Sequence, residues 1–149
     1  MNVNKLFVVA IVVIMFSCSR TQEQSNERES ASAVSKRIPV LFDTDANNEL
    51  DDQHALAYLF FNSETFDIRG VTVNATFNGG EIDEHYDEAE RIMKLCAVLG
   101  EIPLIAGANG DFEDIRGSIQ ETDYDGKAAV EFIIAEAREP REDSLYYSQ

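Results

Sequence analysis

The chain predicts an α/β fold, an open parallel sheet with helices on both faces. Two observations carry this. Short apolar, β-rich runs alternate with longer stretches of helical periodicity in the order β-α-β-α-β-loop-α, and that alternation implies right-handed crossovers between parallel strands. The first such run also leads directly into an acidic turn, Asp43-Thr44-Asp45-Ala46-Asn47-Asn48-Glu49-Leu50-Asp51-Asp52, which precedes a helical pattern. The carboxyl ends of parallel strands are where open α/β sheets place their ligands.

The first residues predict export rather than fold. Lys5 is followed by an apolar run from Leu6 to Phe16 and then Ser17-Cys18-Ser19. A spanning helix needs about 20 apolar residues, so this run is too short. A charged start, a short apolar core and a small residue before the cut describe a signal peptide over residues 1–18. Cys18 makes it resemble a bacterial lipoprotein signal, which implies a lipid anchor at that cysteine and a periplasmic or membrane-anchored lipoprotein. An ordinary cleaved signal with an incidental cysteine is the alternative. Residues 19–36 are polar, rich in Ser, Glu, Gln and Asn and without hydrophobic period, and read as a flexible linker. The folded part, 37–149, then has room for one modest domain.

Ile38 to Phe42 is a continuous apolar run, as expected of a strand buried on both faces. Gln53 to Phe61 spaces Ala55, Leu56, Leu59 and Phe60 as a helix, which Asn62-Ser63 ends. Phe66 to Ala75 predicts the second strand, followed by a loop with Gly79-Gly80. Tyr86 to Leu99 puts Ala89, Ile92, Met93, Cys96 and Leu99 on one helical face, with Gly100 placed to cap it. Cys96, among apolar neighbours, reads as a small buried hydrophobe. Ile102 to Ala106 is the third strand. Residues 111–125 are acidic and irregular. Lys127 to Arg138 is a helix with Ala128, Phe132 and Ala135 along one side. Leu145-Tyr146-Tyr147 begins the approach to another strand. Three strands make a poor complete sheet, so the chain reads as the front part of a larger fold.

The net charge is -16. Such an acidic chain excludes nucleic acid as a partner, because that binding rests on neutralising phosphates. Most of the acids read as a solvated surface. The acidic turn is different, because so many close carboxylates repel unless something positive lies between them. A hard divalent cation is the simplest answer, since Ca²⁺ takes several carboxylate and carbonyl oxygens at once.

Four readings of the turn compete. An EF-hand loop would place Asp43, Asp45, Asn47, Glu49 and Asp51 on alternate liganding positions, but Asn48 stands where the turn needs Gly and His54 where it needs a bidentate Glu. A haloacid-dehalogenase-like phosphotransferase also begins Asp-x-Asp after its first strand, but here Asn47 replaces the expected Thr or Val. A solvated turn with simple helix capping is the third. The fourth is a resemblance. Asp43-Thr44-Asp45, then Asp51-Asp52 followed by Ala55-Leu56, resembles the N-terminal signature of the inosine-uridine-preferring nucleoside hydrolase family, Asp-Thr-Asp-Pro-Gly-x-Asp-Asp. Ala46-Asn47 stands in place of Pro-Gly, the turn is longer, and Glu49 matches an additional acid of a longer variant. Ile68-Arg69-Gly70-Val71-Thr72-Val73, Leu95-Cys96-Ala97-Val98-Leu99-Gly100 and Ile102-Pro103-Leu104-Ile105-Ala106-Gly107 fit in order. The resemblance runs from Arg37 to Pro140.

It implies a Rossmann-like sheet and a Ca²⁺-dependent hydrolase that cleaves the N-glycosidic bond of ribonucleosides. Asp45 resembles the general base and a metal ligand, Asp52 the second metal carboxylate, and Asp43 the first acid of the motif, beside the metal. Asp51 resembles the acid that bonds a ribose hydroxyl. Asn74 and Asn78 are both candidates for the substrate-contacting Asn after the second strand. Full-length relatives are expected to be homo-oligomers. The remaining metal ligands of the family, a mid-chain carbonyl and a late Asp, and its late His have no counterpart before Gln149. Truncation without activity is therefore one expectation, and a non-catalytic acidic fragment or Ca²⁺-binding module is the alternative. His54 and His85 both read as surface histidines.

Overall fold

A computed structural model describes residues 36–76 and 78–148. The expected signal, lipid anchor and linker up to residue 35 lie outside the described residues. Among the described residues, no helix is long and apolar enough to cross a membrane.

The elements run β1 (Ile38–Thr44), α1 (Leu50–Phe61), β2 (Phe66–Val73), α2 (Ile82–Leu95), β3 (Leu104–Ala106), the single turn α3 (Phe112–Ile115), α4 (Lys127–Arg138) and β4 (Tyr146–Ser148). The four strands form one parallel sheet in the order β3-β2-β1-β4. The tyrosine segment near the end is therefore a strand. It pairs Val40 with Tyr146 and Phe42 with Ser148, which makes β1 an interior strand. All of β1 after Ile38 is buried.

Side chains alternate across each strand, and the two faces meet different helices. Val40 and Phe42 of β1 and Val71 and Val73 of β2 pack with Leu56, Leu59 and Phe60 of α1 and Ala89, Ile92 and Met93 of α2. The opposite face, carrying Gly70, lies under α4, whose Phe132 ring fills the space above that glycine. Between Val40 and Leu41 the β1–β2 register slips by one residue, so Val40 pairs with Ile68 but Leu41 with Gly70. This bulge at Arg69 lets Ile68, Val71 and Val73 all join the α1–α2 core, although the sequence between them does not alternate. Arg69 Nε donates to Glu136 Oε2 of α4 at 3.1 Å, and Arg141 joins the same carboxylate.

Two sequence expectations are corrected here. In α4 the sheet-facing residues are Ala129, Phe132, Ile133 and Glu136, while Ala128 and Ala135 are exposed. The helix turns to put Phe132 over Gly70 and Ala129 beside Gly107. The second correction is at α2, which starts at Ile82 and stops at Leu95. Its start is set by a reciprocal cap, in which the Glu81 side chain takes a backbone N–H of the first turn and Glu84 takes that of Glu81. Acids at that end also complement the helix dipole. Its end is a Schellman turn in which Val98 N–H reaches Met93 O at 3.0 Å and Ala97 N–H reaches Lys94 O at 3.1 Å. Ala97 takes the left-handed conformation, φ 58°, that glycine usually fills. Gly100 serves the next reversal, into the Leu99–Ile102 bridge.

A left-handed alanine is strained by its Cβ, by roughly 1 kcal/mol. Ala97→Gly should therefore raise stability by about 0.5–1 kcal/mol, read as a higher urea midpoint at unchanged slope; a lower midpoint would contradict the Schellman assignment.

Candidate functional site

The acidic turn joins β1 to α1 at the carboxyl edge of the sheet. Asp45 is the first residue beyond β1, and Asp52 lies in the first turn of α1. The fold brings these two carboxylates into hydrogen-bonding contact. Asn48 closes the turn twice, its N–H reaching Asp45 O at 2.8 Å and its side-chain amide Asp45 Oδ2 at 2.9 Å. The Thr76 hydroxyl, in the loop after β2, lies 2.9 Å from the same Oδ2 and 2.8 Å from Asn78 O. Thr44 Oγ1 stands 3.5 Å from Asp52 Oδ1.

The two carboxyls titrate apart. Burial raises Asp52, and the Asp45 charge beside it adds to the rise, pushing it up to about 6. Burial also acts to raise Asp45, but the hydrogen bonds from Thr76 and Asn48 outweigh it and hold Asp45 below the usual carboxylate range. Below pH 6 the pair thus keeps one proton, lodged on Asp52. At neutral pH it carries two negative charges.

The other predicted residues are placed as follows. Asp43 points into the sheet, where it is buried. It accepts from Thr72 Oγ1 at 2.5 Å and Asn74 Nδ2 at 3.1 Å, and the Tyr147 hydroxyl of β4 lies against it. Burial raises its pKa, with those donors acting in the opposite sense. Its oxygens are thus engaged away from the Asp45–Asp52 pair. Asp51 is exposed beside the pair. Asn74 sits at the sheet edge with its Oδ1 buried and without a partner among the described residues, whereas Asn78 is exposed and contributes its backbone carbonyl. His54 is exposed as expected. His85 is not, and this is a correction: it is fully buried, its Nδ1 accepting from Asn47 N–H at 3.1 Å. It falls four residues before Ala89 and shares the apolar face of α2, because the helix begins earlier than its periodicity suggested. That spacing was the available signal. Asn48 and Thr76 had weaker ones, an Asx-turn pattern and a hydroxyl just past a strand.

The pair's chemistry suits a hard cation. Two contacting carboxylates, one raised by burial and by the charge of the other, repel each other, and a cation between them would relieve that repulsion. Among the described residues no group of three or more His, Cys, Asp or Glu side chains converges as a metal shell. Further oxygens at such an ion would come from backbone, water or substrate, which Ca²⁺ accepts readily. An apolar cavity of about 410 Å³ opens nearby, lined by Asp43, Asn74, Phe112, Ile115, Tyr124 and Ile133 among others. A polar cleft of about 430 Å³ lies among Arg37, Asp67, Arg69 and Arg141, where Arg37 and Arg69 pair with Asp67, and Arg69 and Arg141 with Glu136. It sits at the amino edge, away from the acidic turn.

Models of known protein families, curated proteins and solved structures provide no match to this chain.

The raised Asp52 has a consequence for stability. Its folded pKa exceeds its unfolded one, so the folded state holds the extra proton between about pH 4 and 6 and loses stability as pH rises through that window. In EDTA the melting temperature should fall from pH 4.5 to pH 7. Asp52→Asn should flatten that fall, and an unchanged slope in the variant would refute the assignment of the raised carboxyl to Asp52.

Proposed function

We propose that this chain carries the cation-binding and ribose-binding edge of a Ca²⁺-dependent N-ribohydrolase, which converts a ribonucleoside and water to free base and ribose. The observation that carries the reading is the Asp45–Asp52 pair, held in contact at the carboxyl edge of a parallel sheet with its two pKa values driven apart. The motif resemblance to nucleoside hydrolases supports it from the sequence side.

The geometry supports the roles that the resemblance implies. Asp45, held low by its hydrogen bonds from Thr76 and Asn48, is ionised at neutral pH and can accept a proton from an attacking water. As the N-glycosidic bond breaks, positive charge grows on the sugar, and the adjoining carboxylates of Asp45 and Asp52 stabilise it. Asp51, exposed beside them, is free to accept from a ribose hydroxyl. Asn74 offers a buried carbonyl oxygen with no donor among the described residues, while Asn78 remains a candidate at the rim. Ca²⁺, when bound, would neutralise the pair and orient water and ribose hydroxyls. The apolar cavity provides a surface on this edge for the flat face of a base. A non-catalytic Ca²⁺-binding module is the second reading, favoured by the convergence of only two carboxylates among the described residues.

Ribose release from inosine and uridine by the purified 149-residue chain separates the readings. The hydrolase reading expects release in Ca²⁺, none in EDTA and recovery on adding Ca²⁺ back. Asp45→Asn should lower kcat by about 10²–10⁴. Calcium binding without ribose release would select the module, and the absence of both would sink the site.

A further inference from the structure

We infer that His85 is the positioning residue of the acidic turn, a neutral imidazole whose unprotonated Nδ1 locks Asn47 so that Asp45 and Asp52 converge; its effect on cation binding rests on the Ca²⁺ reading above.

The first turn of α2 is held rigidly. The Glu81–Glu84 cap closes its N-terminus. Asn109, in the loop after β3, accepts from Ile82 N–H at 2.8 Å and donates to Glu81 Oε2 at 2.6 Å. His85 leaves this turn with none of its surface exposed. Its Nδ1 lies 3.1 Å from Asn47 N–H. A backbone N–H is only a donor, so Nδ1 must be the acceptor nitrogen and the ring proton must sit on Nε2. Asn47 is pinned a second time, its side-chain amide donating to Gly79 O at 2.6 Å. The imidazole lies flush against Gly79, where a Cβ would come within 2.6 Å of Cε1 and 3.0 Å of Nε2.

The remaining ring nitrogen explains why the residue is histidine for a reason other than packing. Nε2 is buried and has no partner among the described residues, and an unpaired buried donor is costly. A phenylalanine or leucine would fill the same space without that cost. What an apolar side chain cannot supply is an acceptor for Asn47 N–H. The imidazole is therefore tolerated for its Nδ1, and the group it fixes lies midway along the turn between the two carboxylates. Partners one step behind a ligand commonly set ligand orientation in this way.

Calorimetric Ca²⁺ titration of the full chain tests this with H85N and H85F. The asparagine amide oxygen can take the place of Nδ1, and phenylalanine keeps the bulk without an acceptor. H85F should weaken Ca²⁺ binding about 10- to 100-fold while H85N stays within about threefold of wild type; equal affinities for H85F and wild type would overturn the assignment. Amide exchange gives a readout that needs no metal. Asn47 N–H should exchange slowly in wild type and H85N and faster in H85F, and the wild-type His85 ¹⁵N spectrum should show an unprotonated Nδ1. A protonated Nδ1, or equal exchange in all three proteins, would overturn the proposal. If wild type binds no Ca²⁺, the hydrolase reading fails and the exchange data alone decide the role of His85.

Discussion

Two carboxylates held in contact repel each other, and the carboxyl edge of this sheet is arranged to keep Asp45 and Asp52 together despite it. At the dielectric of a protein surface, like charges about 4 Å apart oppose each other by a few kcal/mol. Position comes from the backbone: Asp45 is fixed by the end of buried β1, and Asp52 by the first turn of α1. Charge is relieved by donors, Asn48 and Thr76 on Asp45 and Thr44 near Asp52. The amino end of α1 adds its dipole on the same side. Burial, together with the repulsion that remains, appears as the raised Asp52 carboxyl.

Holding the pair demands a stiff edge, and the loops after β1, β2 and β3 are cross-tied. Thr76 binds the β2 loop to Asp45, and Asn47 binds the turn to Gly79. His85 ties the same turn to α2, and Asn109 ties the β3 loop to the cap of α2. Asp43 performs a related task one layer down. Thr72 and Asn74 extend from β2 to its carboxylate, and Tyr147 lies against it from β4, so one buried acid touches both strands that flank β1. Asp43 thus stands behind the pair, and the Asp45 charge adds slightly to the rise that burial gives Asp43.

The fold class and the placement of the acids were legible because both rest on local periodicity and on the order of elements. β1, α1, β2 and α4 fall where their patterns lie. Features that depend on partners were not legible. The bulge at Arg69 is invisible until β1 sets the register. The end of α2 carries alanine, where glycine would have announced the Schellman turn. The facing side of α4 is chosen by two glycines of the sheet, Gly70 and Gly107, that no helical pattern mentions. Within the site, the motif named Asp43, Asp45 and Asp52 together, but the donors that claim Asp43 come from β2, the loop after it and β4, which spacing along a strand does not tell. His85 was missed because its helix seemed to begin after it.

The arrangement selects the kind of occupant as well as its place. The Asp45–Asp52 pair needs a positive charge, and below about pH 6 a proton on Asp52 provides it. Above that pH both carboxylates are ionised; on the proposed Ca²⁺ reading a cation would then compete with the proton for one position, and its binding should release a proton on the acid side. The proton, when present, belongs to Asp52, while Asp45 retains its charge through donors that come from a turn and a neighbouring loop. On the proposed reading, a base that stays ionised beside a partner that can be neutralised would suit acid–base chemistry on a sugar. The difference arises here from where each carboxylate finds its hydrogen bonds.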